Sequence, residues 1–155
     1  MTRPTMRVFL PSSLPALADV LARGEVRGTP IRAYAVRPEP GASDAAEDEE
    51  LEYQALLAAA GDSLRLLAAD PEAPRRRVVL AADVPDRIVE PDPGESGVAS
   101  VTVAGTVPLK RVVSAHVDDE AAATDIEAAL ADPDAADLGE HDLMWFATQE
   151  LPFMV

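Results

Sequence analysis

The chain has 155 residues, 48% hydrophobic but only 4% aromatic, with 13 basic residues against 28 acidic ones and a formal charge of −15. That length suits one ordinary domain with a core built mainly from Leu, Val and Ala. The charge argues against nucleic acid and anionic membrane surfaces, though it suits a basic partner or a cation, and the absence of Cys excludes disulfides, thiolate nucleophiles and zinc–sulfur sites.

"MRVFLP" (6–11) reads as an N-terminal strand closed by Pro11. "SSLPALADVLARG" (12–24) reads as a helix capped by Ser12 or Ser13, with Leu14, Leu17, Val20 and Leu21 on one face and Gly24 ending it. No G-x-S-x-G surrounds the two serines, so they are read as caps and not as nucleophiles. "PIRAYAV" (30–36) alternates like a half-buried strand.

A Pro- and acid-rich link at 37–46 leads into the longest helix, 46–69. Its apolar stripe is expected to be Tyr53, Leu56, Leu57, Ala60, Leu64 and Leu67, while Glu47 to Glu50 favour its N-terminus and Pro71 stops it. Gly61 weakens its middle and is expected to serve close packing or a bend.

"RRRVVLAADV" (75–84) is a strand with a basic start, where Arg75, Arg76 and Arg77 are read as solvated and balanced by nearby acids, the alternative being a seat for a phosphate or an acidic partner peptide. A short strand begins near Arg87 and gives way to a loop at 90–97. "VASVTVAGTVP" (98–108) and "LKRVVSAHV" (109–117) read as strands, with a bulge expected at Gly105. "DDEAAATDIEAALAD" (118–132) is a short Ala-rich helix with Ile126 and Leu130 on its apolar side. "LMWFATQELPFMV" closes the chain with its only tryptophan.

Strands interleaved with three helices indicate an α+β fold: one two-layer domain over 1–155, with a mixed sheet of five to six strands covered mainly on one side. No apolar segment is long enough for a signal peptide or a membrane span, so a cytoplasmic location is expected. Lys110 is the only lysine and Asn is absent, a bias that fits GC-rich coding.

The segments "MRVFLPSSLPAL", "DEELEYQALLAAAGDSLRLLAADPEAPRRRVVLAADVPD", "VPLKRVVSAHVDDEAA" and "EHDLMWFATQELPFMV" resemble a family of small acidic actinobacterial proteins. That family is a domain of unknown function. The resemblance runs nearly end to end and implies a cytoplasmic protein of a high-GC bacterium. It supplies no activity and no catalytic residues.

Candidate chemistry centres on "RVVSAHVDDE" (111–120). Asp118 or Asp119 can cap the coming helix, with Glu120 adding favourable charge, which explains all three acids without a ligand. The rival reading joins His116 and Asp118 to His141 and either Glu140 or Asp142 as a divalent-metal site. Asp83 could serve as an acid–base partner of His116 if their strands run the same way. No glycine-rich phosphate loop is present.

Trp145, Phe146, Leu151 and Phe153 concentrate large side chains in the tail, and are the candidate interface for a protein partner or a homodimer. The preferred reading is a non-catalytic protein-binding or regulatory domain with no cofactor. A small metal-assisted hydrolase using the acid-flanked histidines is the alternative.

Overall fold

A computed structural model describes residues 5–28, 31–37, 45–91, 97–132 and 143–154. The strands are β1 (Thr5–Ser12), β2 (Glu25–Val26), β3 (Ile31–Arg37), β4 (Val78–Pro85), β5 (Val89–Pro91), β6 (Gly97–Val103), β7 (Val107–Pro108), β8 (Val112–Val117) and β9 (Met144–Ala147). The helices are α1 (Leu14–Arg23), α2 (Ala45–Ala69) and α3 (Ala123–Ala131), with a final 3-10 turn over Thr148–Phe153. The expected link at 37–46 and loop at 90–97 fall largely outside the described residues.

Seven strands form one sheet in the order β5-β6-β3-β1-β4-β8-β9, and β2 pairs with β7 in a small second sheet. Every strand pairing among the described residues is antiparallel, which corrects the expectation of a mixed sheet, and the five to six strands expected are seven in the main sheet. A helix crossover such as that from β3 to β4 commonly joins parallel neighbours. In the fold, β1 lies between those two strands and runs against both, so the crossover yields no parallel neighbours.

Helical cover lies on both faces. On one, Ala55, Leu56, Ala59 and Ala60 of α2 pack on Phe9, Val79 and Ala81. On the other, Leu14 and Leu17 of α1 join Leu151 over Val8, Leu10, Leu80 and Ala115. The two-layer expectation is thus only roughly matched. The stripe expected on α2 is matched in part: Leu56, Ala60 and Leu67 are buried, but Tyr53 and Leu57 are 46% and 43% exposed, and Ala55 and Ala59 share the buried face. Small side chains let the helix axis approach the sheet closely, and Tyr53 and Leu57 sit at its flanks.

Ser13 accepts a hydrogen bond from the Ala16 amide at 3.3 Å and caps α1, while Gly24 closes it with φ of 77°. Gly105 has φ of 79° and turns the chain between β6 and β7, in place of the expected bulge.

The triple arginine is structural. Arg75 donates to the Leu67 carbonyl at 2.8 Å, at the C-terminal end of α2, and reaches Glu127 on α3. Arg76 donates to the Asp118 carbonyl at 2.8 Å. Arg77, expected in solvent, is buried, and its Nε and Nη2 meet the two Asp118 carboxylate oxygens at 2.8 and 2.9 Å. Nearby, the Ser63 hydroxyl donates to the Ser12 carbonyl at 2.6 Å and accepts from the Val78 amide at 3.0 Å. One α2 side chain therefore ties β1 to β4.

Gly61 is exposed, and a Cβ placed there would meet nothing within 4 Å, so the glycine serves no close approach. Gly61→Ala should raise stability by about 0.5–1 kcal/mol in urea denaturation. Asp118→Asn leaves the Arg77 charge buried without a counter-ion and should cost about 3 kcal/mol in the same assay. A loss below about 0.5 kcal/mol, the range of ordinary surface changes, would remove the pair from the structural account.

Candidate functional site

β8 carries Ser114 and His116 opposite Ala81 and Val79 of β4, and those two partners pack beneath α2. Residues directly opposite each other share a face, so Ser114 and His116 lie on the α2 side of the sheet. Trp145 of β9 is opposite His116 in turn and lies on the same side. The buried face of α2 rests on β1, β3, β4 and β6 and leaves part of the surface above β8 and β9 uncovered. The result is a groove of about 240 Å³ with Arg7, Phe9 and Ala81 at its base, Glu52 and Tyr53 on the helix wall, and His116 and Trp145 on the strand wall.

Charge in the groove is partly committed. Arg7 donates through Nε and Nη2 to Asp83 at 2.9 and 3.0 Å, and that hydrogen bond strengthens its hold on its proton. His116 is half-buried, and desolvation, helped by the positive charge of Arg7, holds its pKa below the ordinary value. The imidazole is therefore neutral near pH 7, with Nε2 3.4 Å from the Ser114 hydroxyl. A neutral imidazole can accept a hydrogen bond, act as a base or bind a metal.

The proposed partners of His116 are placed otherwise. The Asp118 carboxylate is fully buried and taken up by Arg77, which donates to it from its backbone amide as well as its guanidinium. Asp119 is the residue that caps the following turn, accepting from the Ala121 amide at 3.2 Å. β4 and β8 are antiparallel, so Asp83 lies four positions along β4 from Val79, the residue opposite His116. That separation is about 13 Å along the strand, and Asp83 faces Arg7 instead.

Glu140, His141 and Asp142 lie outside the described residues. Among the described residues no group of three or more His, Asp or Glu side chains is arranged to hold a metal.

The aromatic tail divides. Strand alternation sends Trp145, 61% exposed, to the groove side, while Phe146 packs against the core cluster of the opposite face. Leu151 is fully buried and belongs to the core, not to an outer surface, whereas Phe153 is 89% exposed. Sequence reasoning missed Arg7, Glu52 and Tyr53 as groove residues. Their common signal is position: Arg7 shares its strand face with Phe9, and Glu52 and Tyr53 sit at the edge of the alanine stripe.

Sheet, long helix and open edge together define an α+β protein whose groove sets an exposed tryptophan beside a half-buried histidine. The chain belongs to a family of unknown function, DUF6912, whose model matches residues 6–155. Searches of curated proteins and of solved structures find no match. No helix among the described residues is long and apolar enough to cross a membrane.

Because burial and Arg7 disfavour the protonated imidazole in the folded state, the unfolded chain takes up that proton first as pH falls. Stability from this group is present above the ordinary histidine value near 6.5 and is lost as pH drops from there towards the lower folded pKa. His116→Gln should therefore flatten the fall in melting temperature between about pH 7.5 and 5.5. Parallel curves for the two proteins would show that His116 carries no such linkage.

Proposed function

We propose that this is a non-catalytic protein-binding domain whose partner adds an extended segment along β9 and seats an apolar side chain in the adjoining groove. The observation that carries the reading is the pair of exposed aromatics, Tyr53 and Trp145, lining one groove in a chain with only 4% aromatic residues. β9 stands at the end of the sheet order and pairs only with β8 among the described residues. An outermost strand presents backbone donors and acceptors to a new strand, and natural edges are usually blunted by Lys, Pro or inward charge. The β9 sequence MWFA has none of these.

Glu49 and Glu52 on the helix wall favour a segment that carries Lys or Arg beside its apolar anchor. A second copy is disfavoured, since two chains of formal charge −15 repel each other. In the alternative enzymatic reading, Asp83 and Asp118 are both bound to arginines, leaving only His116 of the described candidates. A compartment of cytoplasmic type suits the binding reading.

A photo-crosslinking residue placed at position 144, beside the anchor on β9, should capture one polypeptide in cells, with the adduct mapped to an extended, basic segment. A synthetic peptide of that segment should bind the wild type, and Trp145→Ala should weaken it by roughly 30-fold or more, as expected for a central aromatic anchor. The substitution should leave the far-UV spectrum intact and change stability by no more than about 0.5 kcal/mol, because the side chain is exposed. Adducts confined to this chain itself would replace the heterologous partner with a homodimer. No adduct, or unchanged peptide affinity, would end the reading.

A further inference from the structure

At the other end of α2, the sheet comes apart. β1 pairs with β4 at all eight positions from Thr5 to Ser12, but with β3 only at Val8–Ala35 and Phe9–Tyr34. β3 itself stays paired with β6 from Ile31 to Arg37. Pro11 gives the physical reason, because a proline has no N–H to extend a ladder and occurs in sheets where pairing stops. Beyond Phe9, the end of β1 and the start of β3 part, and a cavity of about 580 Å³ occupies the gap. Small-molecule sites commonly fall between about 300 and 1,000 Å³.

The lining has two chemistries. Leu10, Pro11, Val20, Val26, Ile31 and Leu66 supply an aliphatic wall, and no aromatic side chain among the described residues lines the cavity to stack on a nucleobase. The rim holds Arg23, Arg27 and Arg32 against Asp19 and Glu25, an excess of one positive charge on a protein of formal charge −15. Arg27 is engaged by Glu25 at 2.9 and 2.7 Å. Arg23 lies 3.8 Å from Asp19 in the last turn of α1, where the helix dipole already favours it. Arg32 is exposed and has no hydrogen-bond or ion-pair partner among the described residues. A guanidinium fork uncommitted to any described side chain, above an aliphatic cleft, matches an anion that brings its own apolar body.

We propose that the cleft between β1 and β3 binds a small molecule with an aliphatic body ending in a carboxylate or phosphate, its head group held by Arg32. This site is separate from the groove at β9 and does not depend on that reading.

The test titrates the full chain, isotopically labelled, with octanoate, octyl phosphate, 1-octanol and octylammonium. Octanoate, octyl phosphate or both should bind saturably and shift the methyl signals of Leu10, Val20, Val26 and Ile31, and the tighter of the two assigns the head group. Arg32→Ala and Arg32→Gln should each weaken that binding by about tenfold or more, as expected for losing a charged hydrogen bond. Trp145→Ala should bind the same probe unchanged. Equal binding of octanol or octylammonium, an undiminished Arg32→Ala, shifts centred elsewhere, or no binding of either anion would overturn the proposal.

Discussion

Asp118 is fully buried, and its charge is held by one bidentate arginine and one backbone amide. A carboxylate without such partners would be expensive in a low-dielectric interior, so the pair must close for this end of the sheet to fold. Its position matters more than its energy. Arg77 enters β4 and Asp118 leaves β8, and the Asp118 amide returns a bond to the Arg77 carbonyl at 3.1 Å. The pair therefore pins the register in which Val79 meets His116. A slip of one residue would turn every side chain of β8 to the opposite face and remove His116 from the groove. Arg76 and Arg75 extend the same junction to the turn after β8 and to the end of α2.

Local signals carried much of the fold. Ser13, Gly24 and Pro71 act through neighbouring backbone, and the limits they mark for α1 and α2 lie close to those observed. What depended on distant partners was not legible. Asp118 and Arg77 are 41 residues apart, so a pattern of three acids looked like capping, of which Asp119 supplies the only part seen. Three arginines looked solvated for the same reason.

The buried face of α2 was read only in part: Leu56, Ala60 and Leu67 are buried as expected, whereas Tyr53 and Leu57 are not. Hydrophobic periodicity weights Leu and Tyr, whereas close packing on Val79 and Ala81 selected alanine. Strand direction was missed because an inserted central strand leaves no local trace in the two strands it separates.

Of the candidate site, the histidine and the tryptophan were visible as residue types, but their meeting required the pairing of β8 with β9. The tail read as one apolar cluster until strand alternation separated Trp145 from Phe146 and the following turn buried Leu151. Fold position, not composition, decides which large side chains can face a partner.

Both surfaces arise where strand pairing ends: the outer side of β9, and the divergence of β1 from β3 after Phe9. One helix borders both, through Tyr53 at the groove and Leu66 at the cleft. Thirteen residues of α-helix separate those positions by about 20 Å. Between them, Ala55, Ala59 and Ala60 are fully buried, which leaves α2 little room to shift against the sheet. Sites that far apart, sharing no contacting side chain, behave additively unless a common element moves. The tight alanine seam thus holds the two surfaces independent, so an Arg32 substitution reports on the cleft and a Trp145 substitution on the groove.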